Sequence, residues 1–156
     1  MGRGSGNSVT DLNNLTYIAA EPKDIPIIYA LAKDLIDRYE DVSAIPYENV
    51  LNWTLDKITE NIAMYKCIVA DGIKVGYFHL DSYGVEAELD DLYILPNYRG
   101  RGIGTTVIKY CMQLAKKPIF LYVFCKNTGA IRLYERMGFV KRRQKNSAPT
   151  CARMRY

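Results

Sequence analysis

The chain has 156 residues, 49% apolar and 24% charged. That describes one globular domain with a single core, and it excludes a disordered segment or a two-domain protein. A net charge of +4 suits a small anionic ligand and is too modest to argue for nucleic acid. Cys67, Cys111, Cys125 and Cys151 show no C-x-x-C spacing and His79 is the sole histidine, so neither a metal site nor a disulfide scaffold is expected. No apolar run approaches the roughly 18 residues of a membrane span. With no signal peptide visible, a cytoplasmic setting is expected.

Residues 1–9, rich in Gly and Ser, read as a loose tail or expression scar, and 10–156 as a single domain. Residues 15–20 form a short strand, and Glu21-Pro22-Lys23-Asp24 opens a helix. Ile25, Ile28, Ala32, Leu35, Ile36 and Tyr39 share one face of that helix at 3.6-residue spacing. After a loop over 41–46, a second helix carries Leu51, Leu55, Ile58 and Ile62 as its apolar stripe. Residues 65–70 and 75–80 make a hairpin about Asp71-Gly72, a pair suited to the positive φ angles of a tight turn. A turn at Ser82-Tyr83-Gly84 leads into a strand over 86–95. The next helix begins at Gly102 and turns Ile103, Val107, Tyr110, Cys111 and Leu114 inward. Residues 119–124 are almost wholly apolar and aromatic, the pattern of a strand buried on both faces. A helix over 127–137 is closed by Gly138, and 139–143 with 151–156 form a terminal hairpin across the loop 145–150. The order β-α-α-β-β-β-α-β-α-β-β mixes hairpins with helical crossovers, which implies an α/β (α+β) domain on a mixed sheet.

The strand before the glycines has a break in parity. Leu89 is odd, whereas Leu92 and Ile94 are even, so strict alternation puts them on opposite faces. One extra residue at Asp90 or Asp91 restores a single apolar face, which is a β-bulge. Bulges interrupt pairing and are frequent beside active sites. The alternative is a plain irregularity with Leu89 buried on a second face.

Pro96-Asn97-Tyr98-Arg99-Gly100-Arg101-Gly102-Ile103-Gly104-Thr105 follows, where strand gives way to helix. Glycine lets the backbone approach a ligand closely. The free N–H groups and macrodipole of a helix start favour an anion, and Arg99 and Arg101 add positive charge. These features describe a pyrophosphate site. No lysine follows Gly104, which excludes a Walker A loop, and G-x-G-x-G is one residue short of the dinucleotide fingerprint.

Arg99-x-x-Gly102-x-Gly104 matches the [RQ]-x-x-G-x-[GA] motif of the GNAT acetyltransferase superfamily. Leu92-Tyr93-Ile94-Leu95-Pro96 resembles its fourth strand. Asn127-x-x-Ala130-x-x-x-Tyr134-x-x-x-Gly138-Phe139 is similar to its second signature block. The resemblance covers nearly the whole chain and implies a sheet whose central strand pair is bulged and splayed. It also implies acetyl-CoA as cosubstrate and a primary amine as acceptor, attacked directly. The pyrophosphate would rest on the amides of Arg99, Gly100, Arg101, Gly102, Ile103, Gly104 and Thr105. Backbone groups of Leu92, Tyr93 and Ile94 would pair with the pantetheine arm, which Asn127 would face. Asn127 also suits a helix N-cap. Tyr134 matches the tyrosine that protonates the leaving thiolate in this family, and Glu88 falls where some members keep a catalytic glutamate. Glu86, Asp90 and Asp91 are the competing carboxylates. The same fold could alternatively serve as a non-catalytic acyl-CoA-binding module.

The acceptor side is expected from the first two helices, with Tyr39, Glu40, Asp41, Tyr47, Glu48 and Trp53 as candidates, since acidic and aromatic groups suit a cationic amine. His79 reads as structural or acceptor-lining, and Cys125 lies near the expected thioester. Lys141, Arg142, Arg143 and Lys145 read as a solvated face, so nucleic acid is not an expected partner. A homodimer is left open.

Overall fold

A computed structural model describes residues 14–43, 45–142 and 151–156. The expected tail, Arg143 and the loop 145–150 lie outside these residues. A seven-stranded mixed sheet runs through the domain in the order β1-β2-β3-β4-β5-β7-β6. Its strands are β1 (Leu15–Ala19), β2 (Tyr65–Ala70), β3 (Ile73–Asp81), β4 (Ala87–Ile94), β5 (Ile119–Phe124), β6 (Val140–Arg142) and β7 (Cys151–Arg155). The helices are α1 (Ile25–Tyr39), α2 (Tyr47–Glu60), α3 (Ile103–Ala115) and α4 (Thr128–Arg136). All pairs are antiparallel except β4–β5, which α3 connects in parallel. Among the described residues no helix is long and apolar enough to cross a membrane.

Local chemistry sets these boundaries. Asp71 and Gly72 take φ values of 49° and 76°, both positive, as a two-residue hairpin turn requires. Before α1, a 3-10 turn over Pro22–Asp24 ends in a capping box, with Asp24 accepting from the Glu21 N–H at 2.9 Å. Asp24 is buried, and it also accepts from Lys74 Nζ at 2.8 Å and the Tyr77 hydroxyl at 2.9 Å. This anchors the entry of α1 to β3.

Helices cover the sheet on both faces. α1 and α2 enclose Ile28, Leu31, Ile58, Tyr65 and Tyr77. α3 and α4 enclose a larger core that includes Phe78, Leu89, Ile103, Val107, Leu121 and Ile131. Three expectations about faces need correction. Leu114 of α3 is 56% exposed rather than inward. In α2 the inward positions are Val50, Leu51, Thr54, Lys57 and Ile58, while Leu55 is 38% exposed. β5 is buried on one face only. Ile119, Leu121 and Val123 enter the core, but Tyr122 on the opposite face is 48% exposed.

Candidate active site

β4 and β5 pair only at Ala87–Ile119 and Glu88–Phe120. Beyond these residues the two strands separate. The gap is a cleft of about 470 Å³, lined by residues 89–94 of β4, residues 121–124 of β5, and side chains from α1, α2, α3 and α4. The splay expected of the central pair is therefore present, and it opens the sheet to both faces.

The parity break resolves as a bulge at Asp90. His79 of β3 pairs with Asp91 and Leu80 pairs with Leu89, which leaves Asp90 as the extra residue. Leu89, Leu92 and Ile94 then all face the α3/α4 core. Asp90 and Asp91 both fall on the α1/α2 side, where Lys57 Nζ of α2 sits 3.1 Å from each carboxylate. Asp91 also accepts from the Tyr65 hydroxyl and, at 2.8 Å, from the Tyr93 hydroxyl. Asp90 meets His79 Nδ1 at 3.1 Å, and the His79 ring stacks on Tyr65. Burial pushes the Asp91 carboxyl above its ordinary range despite Lys57. Burial also opposes ionisation of Asp90, but the His79 and Lys57 contacts outweigh it and hold that carboxyl low. His79 is thus a structural member of this network. The sequence pointed to the bulge and not to Lys57.

At the α3/α4 end of the cleft, Gly100 and Gly102 take φ values of 74° and 81°. That left-handed region favours glycine. A Cβ at either would meet nothing within 4 Å, so the loop presents open backbone. Gly102 is the N-cap of α3, and no side chain caps it. The amides of Ile103, Gly104 and Thr105 therefore begin the helix without intrahelical partners. Arg99 Nε donates to the Ile94 carbonyl at 2.9 Å and ties the loop to the end of β4. Arg101 lies over the Tyr98 ring at 5.5 Å. Leu92, Tyr93, Ile94, Arg99, Gly104, Asn127 and Tyr134 line the cleft, while Gly100, Arg101 and Gly102 form the loop beyond it and Ile103 and Thr105 belong to the first turn of α3.

Asn127 Oδ1 accepts from the Ala130 N–H at 3.2 Å and caps α4. The residue also lines the cleft. Tyr134 faces the cleft from α4, with its ring 5.7 Å from that of Phe139. Among the described residues its hydroxyl has no hydrogen-bond partner, and burial pushes its pKa up to about 12. Glu88 is half-buried on the α1/α2 side beside Phe120 and does not line the cleft. Burial, then the nearby Asp90 charge, raise its pKa. Glu86 is engaged by Arg153 at 2.8 Å and Arg155 at 2.5 Å.

The sequence model of the acetyltransferase (GNAT) family matches residues 28–139. The chain belongs to the GNAT acetyltransferase family. An uncharacterized N-acetyltransferase of Methanocaldococcus jannaschii is 42% identical over 57 residues, which span 34% of this chain and 25% of that protein. A probable spermine N(1)-acetyltransferase of Bacillus subtilis subsp. natto is 43% identical over 56 residues, 33% of this chain and 37% of that protein. The chain thus spans 25% and 37% of the lengths of these two curated relatives. Among solved structures, the PaiA N-acetyltransferase of Thermoplasma acidophilum in complex with coenzyme A superposes with a TM-score of 0.67 at 19% identity, covering 91% of this chain and 98% of that one.

On the α1/α2 side of this GNAT domain, one of the six acceptor candidates, Glu40, lines the cleft. Tyr39 packs its ring 6.4 Å from Phe124. Asp41 accepts from the Ser43 N–H at 3.0 Å, in an exposed turn. The Tyr47 hydroxyl donates to Asp37 at 2.5 Å. Glu48 is exposed, and Trp53 is 58% exposed on the outer side of α2. The wall is instead built from Leu35, Ile36 and Val50 with Thr54 and Lys57. Cys125 is exposed at the end of β5, and Cys151 of β7 is the cysteine that lines the cleft.

Proposed function

We propose that this GNAT domain transfers the acetyl group of acetyl-CoA to a primary amine by direct attack. One observation carries the reading: the interrupted β4–β5 ladder joins an anion-accepting helix start on one face to a half-apolar pocket on the other. The residues present fit the cosubstrate. Uncapped amides and two glycines with open space suit a pyrophosphate. The separated strands leave backbone groups of Leu92, Tyr93 and Ile94 for an amide-bearing arm. Asn127, with its Oδ1 engaged in capping α4, would offer its NH₂ group to that arm.

Acetyl-CoA brings an activated acyl group, and the remaining work falls to the chain. An amine with pKa near ~10.4 must lose a proton, at a cost of roughly 4.6 kcal/mol at neutral pH. Glu88, half-buried near Asp90 and unpaired among the described residues, takes that proton by way of water. The Tyr134 hydroxyl, without a hydrogen-bond partner among the described residues, supplies a proton to the departing thiolate. A relative named for spermine and the solved neighbour holding coenzyme A agree with this reading. The acceptor is to be found by screening amines and peptides with acetyl-CoA and following thiol release. Cofactor binding with no acceptor-dependent release across that panel would favour the non-catalytic acyl-CoA-binding alternative.

A further inference from the structure

A bulge places two consecutive residues on one face, and here both are aspartates. Asp90 and Asp91 sit side by side on a partly dry surface, where like charges oppose each other strongly. On β4 itself Tyr93 gives Asp91 a neutral hydroxyl donor, which brings no counter-charge. The counter-charge comes from α2, at an inward position where the helix otherwise carries Val50, Leu51, Thr54 and Ile58. Lys57 reaches down from that position to touch both carboxylates at 3.1 Å. Its ammonium keeps its proton because the pull of Asp91 and Asp90 exceeds the cost of burial. Tyr65 of β2, His79 of β3 and Tyr93 of β4 complete the ring of partners. The bulge is therefore clamped from three other elements, α2 through Lys57, β2 through Tyr65 and β3 through His79.

Resting on the acetyltransferase reading, we propose that Lys57 is a positioning residue, a strut that fixes the Asp90 bulge so that the backbone at Leu92 and Tyr93 meets the thioester carbonyl. The alternative register makes the reason plain. A one-residue slip that erased the bulge would move Leu92 and Ile94 to the opposite face. It would also turn the neighbouring N–H and C=O groups away from the gap between β4 and β5. Lys57 opposes that slip because only the bulged register brings both carboxylates to its ammonium. It touches the bulge and not the reacting atoms.

The test uses the full chain with acetyl-CoA carrying a ¹³C-labelled carbonyl, read by infrared difference spectroscopy. On the wild type the bound carbonyl band should move to lower frequency, as a polarised carbonyl does. In Lys57→Met at least half of that displacement should be lost, with the dissociation constant for CoA changed by less than about threefold, roughly 0.65 kcal/mol. Lys57→Arg should restore most of it, because a guanidinium can span two carboxylates. With an acceptor in hand, kcat should fall about 10–100-fold in Lys57→Met while KM for acetyl-CoA holds. Asp90→Asn, which removes one of the two anchors, is the second variant should Lys57→Met fail to fold, and it should lose part of the displacement. A wild-type band in the folded variants, or no displacement in the wild type, overturns this proposal alone. If acetyl-CoA does not bind the wild type, the acetyltransferase reading falls, and this proposal with it.

Discussion

Replacing Tyr134 by Phe removes one oxygen that makes no hydrogen bond among the described residues. The ring contact with Phe139 should survive, and no buried partner is orphaned. Stability and acetyl-CoA affinity should therefore stay close to wild type. Turnover should not. The phenol is pushed up to about 12 by its apolar surroundings, whereas an ordinary thiol lies near ~8.5. Handing the proton over completely would cost about 4.8 kcal/mol in this comparison. A thiolate forming in the same cleft is itself desolvated, which narrows the gap. The hydroxyl is thus suited to hydrogen-bond the developing thiolate and release its proton late. Its contribution should sit near the lower end of the general-acid range, about 10²-fold in kcat, or roughly 2.7 kcal/mol. Single-turnover thiol release at saturating acetyl-CoA measures this directly. The defect should shrink with acyl donors whose thiols are more acidic. Full turnover of Tyr134→Phe while chemistry limits the rate would show Tyr134 to be a packing residue.

Gly102→Val should weaken acetyl-CoA binding by tenfold or more, about 1.4 kcal/mol, since it forces a branched side chain to a φ of 81° at the proposed pyrophosphate loop; equilibrium titration of the folded variant with unchanged affinity would remove that assignment. Glu88→Gln should cost most at neutral pH and progressively less as pH nears the amine pKa of ~10. Because burial and then Asp90 raise the Glu88 pKa, wild-type activity should drop as pH falls through that raised value, and the variant should lack this acid limb; identical pH–rate profiles would transfer the role elsewhere. Asp24→Asn should cost about 2 kcal/mol of stability near neutrality, for weakened charge-assisted hydrogen bonds. Burial opposes the Asp24 charge, but the Lys74 hydrogen bond and its other partners outweigh it and hold the pKa low, so its contribution is present above the unfolded pKa of ~3.9 and fades as pH falls through the lower folded value. Melting curves of the two proteins should converge in acid, and a constant difference down to low pH would contradict this.

The bulge was legible because a parity break needs only apolar positions on one strand, and Leu89, Leu92 and Ile94 supply them. The glycine-rich helix start, with positive φ at Gly100 and Gly102, was legible for a similar reason, since glycine spacing is a local constraint. Which helix covers which strand is not local. The run Ile119–Phe124 is apolar throughout, so it reads as doubly buried, yet only its odd residues lie in the core. Of its even aromatics, Tyr122 is exposed and Phe120 and Phe124 are only half-buried. Lys57 escaped notice because a lysine on a helix is ordinarily solvated, and only the three-dimensional register brings two aspartates beneath it. Of the acceptor candidates, loop charges were overweighted. The cleft wall comes from the inner faces of α1 and α2, where Leu35 and Ile36 had read simply as part of an apolar helix face and Val50 had not been singled out.

An ordinary open sheet has two exposed margins, and each displays unpaired backbone groups to any passing strand. This one has four. The outer pair are β1 and β6, while the inner pair are the stretches of β4 and β5 beyond Glu88 and Phe120. The inner margins turn toward each other across a space walled by helices on both faces. A foreign strand arriving from solvent meets the outer margins first and must enter the cleft to reach the others. The domain thereby keeps a stretch of sheet permanently unfinished in its interior, open to a narrow ligand and closed to polymerisation.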